Sequence, residues 1–163
     1  MRARRSVVGA LGAAFLLGSA VCIGAAIPAA AASPCPVGKA AVTTVHYVIF
    51  EPDGTSDNVT HLHGKVQRGD QINVLFNVPP LPAGCSDVTL SLVSYESKVS
   101  PRHTSKLVVF QSQSQQFIAG GGYEMQVTIV PTSGPRHFQV DFVTGPVLPH
   151  PHYGHNVIAS ARH

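Results

Sequence analysis

Period-two alternation of apolar and polar side chains constrains the fold of this chain more than any other feature. Over 71–78, Ile72, Val74, Phe76 and Val78 fall on one face, with Gln71, Asn73 and Asn77 on the other. Over 87–95, Val88, Leu90 and Leu92 oppose Thr89, Ser91 and Val93. Tyr123, Met125, Val127 and Ile129 alternate with Glu124, Gln126 and Thr128, and Phe138, Val140 and Phe142 alternate with Gln139 and Asp141. Successive side chains of a strand point to opposite faces, so each segment predicts a strand with one face on a core. Weaker strands are predicted over 42–50, 59–66 and 107–111, with a short one at 115–118 and an exposed polar link over 112–116.

Breakers separate these segments: Pro52-Asp53-Gly54, Arg68-Gly69-Asp70, the Pro-rich run 79–84, Gly120-Gly121-Gly122, and 131–135. No proline falls inside a predicted strand, as a hydrogen-bonded ladder requires. No segment has the periodicity of an amphipathic helix. Seven or eight short strands at this spacing predict an all-β, immunoglobulin-like two-sheet β-sandwich over residues 33–145. The two clearest strands, 123–130 and 136–144, are expected to pair as a hairpin over the 131–135 turn. Beyond Gly145 the alternation stops. Residues 146–163 read as a Pro/His-rich tail, loosely ordered or laid over the sandwich by Val147 and Leu148.

The first 32 residues read as a signal peptide. Arg2, Arg4 and Arg5 precede an uncharged stretch over 6–27, Pro28 breaks it, and Ala29–Ala32 supplies the small residues of a cleavage site. The twin arginine Arg4-Arg5 has flanks that match a twin-arginine export signal only loosely, which leaves the export route open. Cleavage would discard Cys22 and leave no membrane span. It would also leave eight basic against eight acidic residues, so the net charge of +3 belongs to the leader. A neutral domain with 12% charged residues and no tryptophan excludes electrostatic recognition of nucleic acid as the default. The two remaining cysteines, Cys35 and Cys85, are most simply a disulfide in an oxidising compartment.

The residues also carry a resemblance. Leu62-His63-Gly64, Gly69-Asp70, Gly84-Cys85, the strand Ser91-Leu92-Val93-Ser94-Tyr95 and the run from Phe138-Gln139-Val140-Asp141-Phe142 to Val147 resemble a group of small secreted actinomycete proteins. The resemblance covers 59–147 and implies a secreted sandwich domain with no catalytic residues. Members often have a cysteine just before the Phe-Gln-Val-Asp-Phe strand. This chain has Gly134-Pro135-Arg136-His137 there, which leaves Cys35 as the partner for Cys85.

Nine histidines in a chain of this length make metal binding the sharpest chemical hypothesis. His61 and His63, two apart on a predicted strand, would project from one face, with His46 on a neighbouring strand as a third ligand. Such a set suits zinc or copper. His150, His152 and His155 form a second cluster in the tail. Asp141, with Glu124 on the facing strand of the expected hairpin, is the one carboxylate pair that pattern offers for acid–base work. No Gly-x-Ser-x-Gly elbow surrounds Ser91, Ser94, Ser97 or Ser100, and Gly120–Gly122 lacks the lysine of a phosphate loop. The expectation is a secreted non-enzymatic scaffold that presents loops 51–58 and 79–84 to an envelope or extracellular protein or polymer. The alternative is a secreted zinc- or copper-binding module.

Overall fold

In the computed structural model, which describes residues 34–99 and 104–163, the alternating segments become strands. They are β1 (Thr43–Phe50), β2 (Ser56–Val59), β3 (Gln71–Asn77), β4 (Val88–Ser97), β5 (Val108–Phe117), β6 (Gly122–Thr128), β7 (His137–Thr144) and β8 (Val157–Arg162). The predicted signal peptide lies outside the described residues. Every strand pairing is antiparallel. The first sheet has the order β2-β1-β3-β6 and the second β5-β4-β7-β8. The expected all-β two-sheet sandwich is the observed architecture.

The apolar phase of each strand sets the core. Tyr47 and Ile49 of β1, Ile72, Val74 and Phe76 of β3, and Met125 and Val127 of β6 meet Leu90, Leu92, Phe138, Val140 and Phe142 of the second sheet. Phe76 centres an aromatic group, with ring centroids 5.1 Å from Phe117 and 5.2 Å from Phe142. Each such fully buried side chain contributes about 1.5–3 kcal/mol. A disulfide joins Cys35 to Cys85 across 50 residues of sequence, with Cα atoms 5.7 Å apart. It fastens the start of the described chain to the loop before β4.

Several local expectations are corrected. Strands 123–130 and 136–144 do not form a hairpin: β6 pairs with β3, and β7 lies between β4 and β8 in the other sheet. The 129–136 connection therefore crosses between sheets. Ile129 and Val130 continue bonding toward the 67–70 turn, through Ile129 N–H to Asp70 O (2.7 Å) and Gly69 N–H to Val130 O (2.8 Å). The weak strands at 107–111 and 115–118 are one ten-residue strand, β5, and the expected link 112–116 is its middle. Its glutamines and serines disguise it.

The predicted strand 59–66 is a short strand ending at Val59 followed by a turn. Leu62 is buried, Gly64 has φ +71°, and Lys65 N–H donates to Leu62 O at 3.0 Å. The alternation of His61, Leu62 and His63 thus belongs to a turn anchored by one leucine.

The tail is also more ordered than its prolines imply, because Val157–Arg162 adds β8 to the second sheet. Residues before it cover that sheet's outer face. Tyr153 packs with Val93, Tyr95, Leu107 and Val143, flanked by Val147 and Leu148. Gln139 and Asp141, expected to face water, are consequently buried.

Candidate functional site

The four edge strands leave two seams between the sheets, and the chain treats them differently. Where β5 faces β6, glutamines close the gap. Gln126 N–H donates to Gln113 Oε1 at 2.7 Å, and Thr128 N–H to Gln111 Oε1 at 2.5 Å. These side chains share the face of Leu92 and Ser94 on β4, so they occupy the core phase of a strand at the rim. They give β6 the hydrogen-bond partners that a neighbouring strand would supply.

The opposite seam, between β1 and β8, is open. β2 pairs only with the stretch from Tyr47 to Phe50, so among the described residues the first half of β1 has no strand neighbour on that side. A cleft of about 550 Å³ lies there, within the range of small-ligand sites. Val42, Val45, Leu62, Ile158 and Ala159 supply its apolar lining, and Lys39, Thr60, His61 and His63 its polar groups; Ser160 borders it from β8, with its side chain on the face of Asp141. Among the described residues no Asp or Glu side chain lines it.

Local backbone devices build this cleft. Lys39 is carried by the 3-10 turn Gly38–Ala41. Gly38 has φ +58° and donates its N–H to Thr144 Oγ1 at 2.9 Å. A Cβ there would clash with His155 O, so only glycine lets the turn sit against the tail. Thr44 has φ +53° at a bulge in the β1–β3 register, an uncommon conformation for a β-branched residue. Burial pushes the Tyr47 phenol up to about 12.

The structure brings His61 and His63 to this one cleft, both exposed, but from a turn and not a strand. It does not bring His46 to them. His46 lies on the other face of β1 from Tyr47, in a shallow groove with Leu75 and Glu124. The tail histidines do not converge either. His150 Nδ1 lies 2.8 Å from Leu107 O, His152 Nε2 lies 3.2 Å from Thr104 Oγ1, and His155 sits in the 3-10 turn Gly154–Asn156. Among the described residues no three His, Cys, Asp or Glu side chains are grouped to hold a metal ion.

Asp141 and Glu124 are separated as well. Glu124 is exposed on the first sheet, where Asn73 Nδ2 donates to it. Asp141 is 1% exposed under the tail, accepting from Gln139 Nε2 at 2.7 Å, while its Oδ1 has no partner. Burial holds its carboxyl above the usual carboxylate range, and Ser160, Gln139 and Arg162 oppose this only in part.

Lys39, Tyr47 and Ser160 were not singled out from sequence, because each reaches the cleft through tertiary packing. The in-phase Gln111, Gln113 and Gln115 were a readable signal of a rim strand. No family model matches the chain, and no curated protein and no solved structure matches it.

Proposed function

We propose that the chain is an exported, disulfide-fastened β-sandwich that acts by contact and not by turnover, holding an envelope or extracellular partner in the cleft between β1 and β8. The observation that carries this reading is the asymmetry of the seams. One is bridged by glutamine side chains and keeps only a smaller groove of about 330 Å³ beside Gln113 and Gln126, whereas the other keeps a cleft of about 550 Å³ rimmed by Lys39, His61 and His63. The Cys35–Cys85 disulfide supports an oxidising compartment. The leader-like N-terminus and the resemblance to small secreted actinomycete proteins support export.

The test uses tagless protein recovered from an exporting host and mixed with isolated cell-envelope material. Co-sedimentation is compared with that of Ala159→Trp, which fills the cleft, and of Ser112→Lys on the far side of the sandwich. Retention lost in Ala159→Trp and kept in Ser112→Lys supports the proposal. Equal retention of all three proteins, or none by the parent, overturns it. His61 and His63 also favour a second reading, a transition-metal site. Stoichiometric zinc or copper in the purified protein, lost in the His61→Ala/His63→Ala double variant, would assign the cleft to metal instead.

A further inference from the structure

We infer that β5 is a self-complementary edge through which two copies of this chain pair antiparallel, joining their second sheets into one of eight strands. A sheet edge left unpaired is a template for another strand, and proteins ordinarily blunt it with charge, proline, brevity or a cover. Three of the four edges here are blunted. β2 is four residues long and carries Asp57. β6 is covered by Gln111 and Gln113. β8 ends in the charged Arg162, and His163 follows it. β5 has ten residues, no charge and no proline, pairs among the described residues only with β4, and has its one bulge at Val109–Gln111, outside the regular stretch 111–117.

Its sequence specifies the partner. Gln111-Ser112-Gln113-Ser114-Gln115 reads the same in both directions about Gln113. A two-fold axis at Gln113 sets Gln111 against Gln115 of the second copy, Ser112 against Ser114, and Gln113 against its own counterpart. Faces match in this register. The three glutamines share the side of Leu90, Leu92 and Ser94, and the two serines share that of Ser91 and Val93. Hydroxyl pairs across a ladder hydrogen-bond to each other, Gln111 and Gln113 keep their Nε2 groups as donors while their Oε1 atoms accept from β6, and a two-fold interface uses the same patch twice.

The strand ends agree. Val108, Val109 and Phe110 at one end and Ile118 beyond the other are among the eight large apolar side chains left exposed in the described residues; Ile118 is 65% exposed. The bulge between Val109 and Gln111 ends the strict pairing of the 111–115 repeat, and beyond it the same axis turns the apolar end of each copy toward Ile118 of the other. That covers surface which the isolated sandwich leaves in water.

Light scattering during size-exclusion chromatography of the purified protein, over a concentration series, should give twice the monomer mass. The Ser112→Lys/Ser114→Lys variant should run at monomer mass, with circular dichroism confirming that it is folded. Register is read separately by mild oxidation. Copies carrying Ser112→Cys mixed with copies carrying Ser114→Cys should cross-link at least tenfold faster than either alone, because positions 112 and 114 face each other only across the axis. A parent protein that stays monomeric at submillimolar concentration overturns the inference. So does a dimer that survives the lysines, or a mixture that cross-links no faster than its components.

Discussion

Replacing Asp141 by Asn removes a charge from under the tail while keeping the side chain's shape. The carboxylate is 1% exposed; Gln139 Nε2 donates to Oδ2 at 2.7 Å, and Oδ1 has no hydrogen-bond partner. A buried polar atom left unpaired costs about 1–3 kcal/mol, and more when charged. Burial raises the folded-state pKa above its ordinary value of about 3.9, so the folded state binds the proton more tightly than the unfolded chain. The sign follows from that. Below the ordinary value both states are protonated and burial of the charge costs nothing. As pH rises through the raised native value the folded state must carry the charge, and stability falls.

Asp141→Asn should therefore be more stable than the parent at neutral pH by about 1–3 kcal/mol. Urea titrations at a series of pH values from 3 to 8 would show the two curves converging near about pH 4 and separating above it. Thermal melts should show about 3–5 °C for each kcal/mol in a domain of this size. An Asn variant less stable than the parent at pH 7 would refute the argument. The carboxylate would then be held charged by Arg162 and Ser160 strongly enough to outweigh its burial.

Two further substitutions probe the fold. Cys35→Ser with Cys85→Ser opens a closed loop spanning 50 residues of sequence and should cost about 4 kcal/mol in a urea titration under oxidising conditions. Tyr153→Phe removes a hydroxyl that lies 2.6 Å from Tyr95 Oη and accepts Leu148 N–H at 2.9 Å. It should cost about 1–3 kcal/mol and speed amide exchange at Leu148.

Strand identity was legible wherever one face of a strand meets the core and the other meets water, as in β3 and β6. It failed where that rule fails. β5 has glutamines in its core phase because it borders a seam, so its middle read as a link. β7 was recognised, but its second face was misassigned. Nothing local to Gln139 or Asp141 announces that Tyr153 and Leu148 will cover them. Pairing was less legible than identity. Short connections favour hairpins, yet the connection between β6 and β7 crosses the core, and only the bonds from Ile129 and Val130 back to the 67–70 turn record why. The cleft was half legible. His61 and His63 were noticed for their spacing, which proved to be that of a turn, while Lys39, Tyr47 and Ser160 come together only after β8 docks.

The segment that sequence pattern treated as a tail organises both faces of the second sheet's β7–β8 border. β8 itself supplies Ile158, Ala159 and Ser160 to the cleft wall, and its Ala161 packs in the core between the sheets. The stretch before β8 closes over Tyr95 and buries Asp141 on the opposite face. The tail's histidines fit this role. His150 meets Leu107 O and His152 meets Thr104 Oγ1, so both fasten the strap to the segment leading into β5. A composition rich in proline and histidine marks a disordered end when it has nothing to cover. Here Val147, Leu148, Tyr153 and Ile158 give it an apolar surface to cover, and the prolines shape a path that needs few backbone donors.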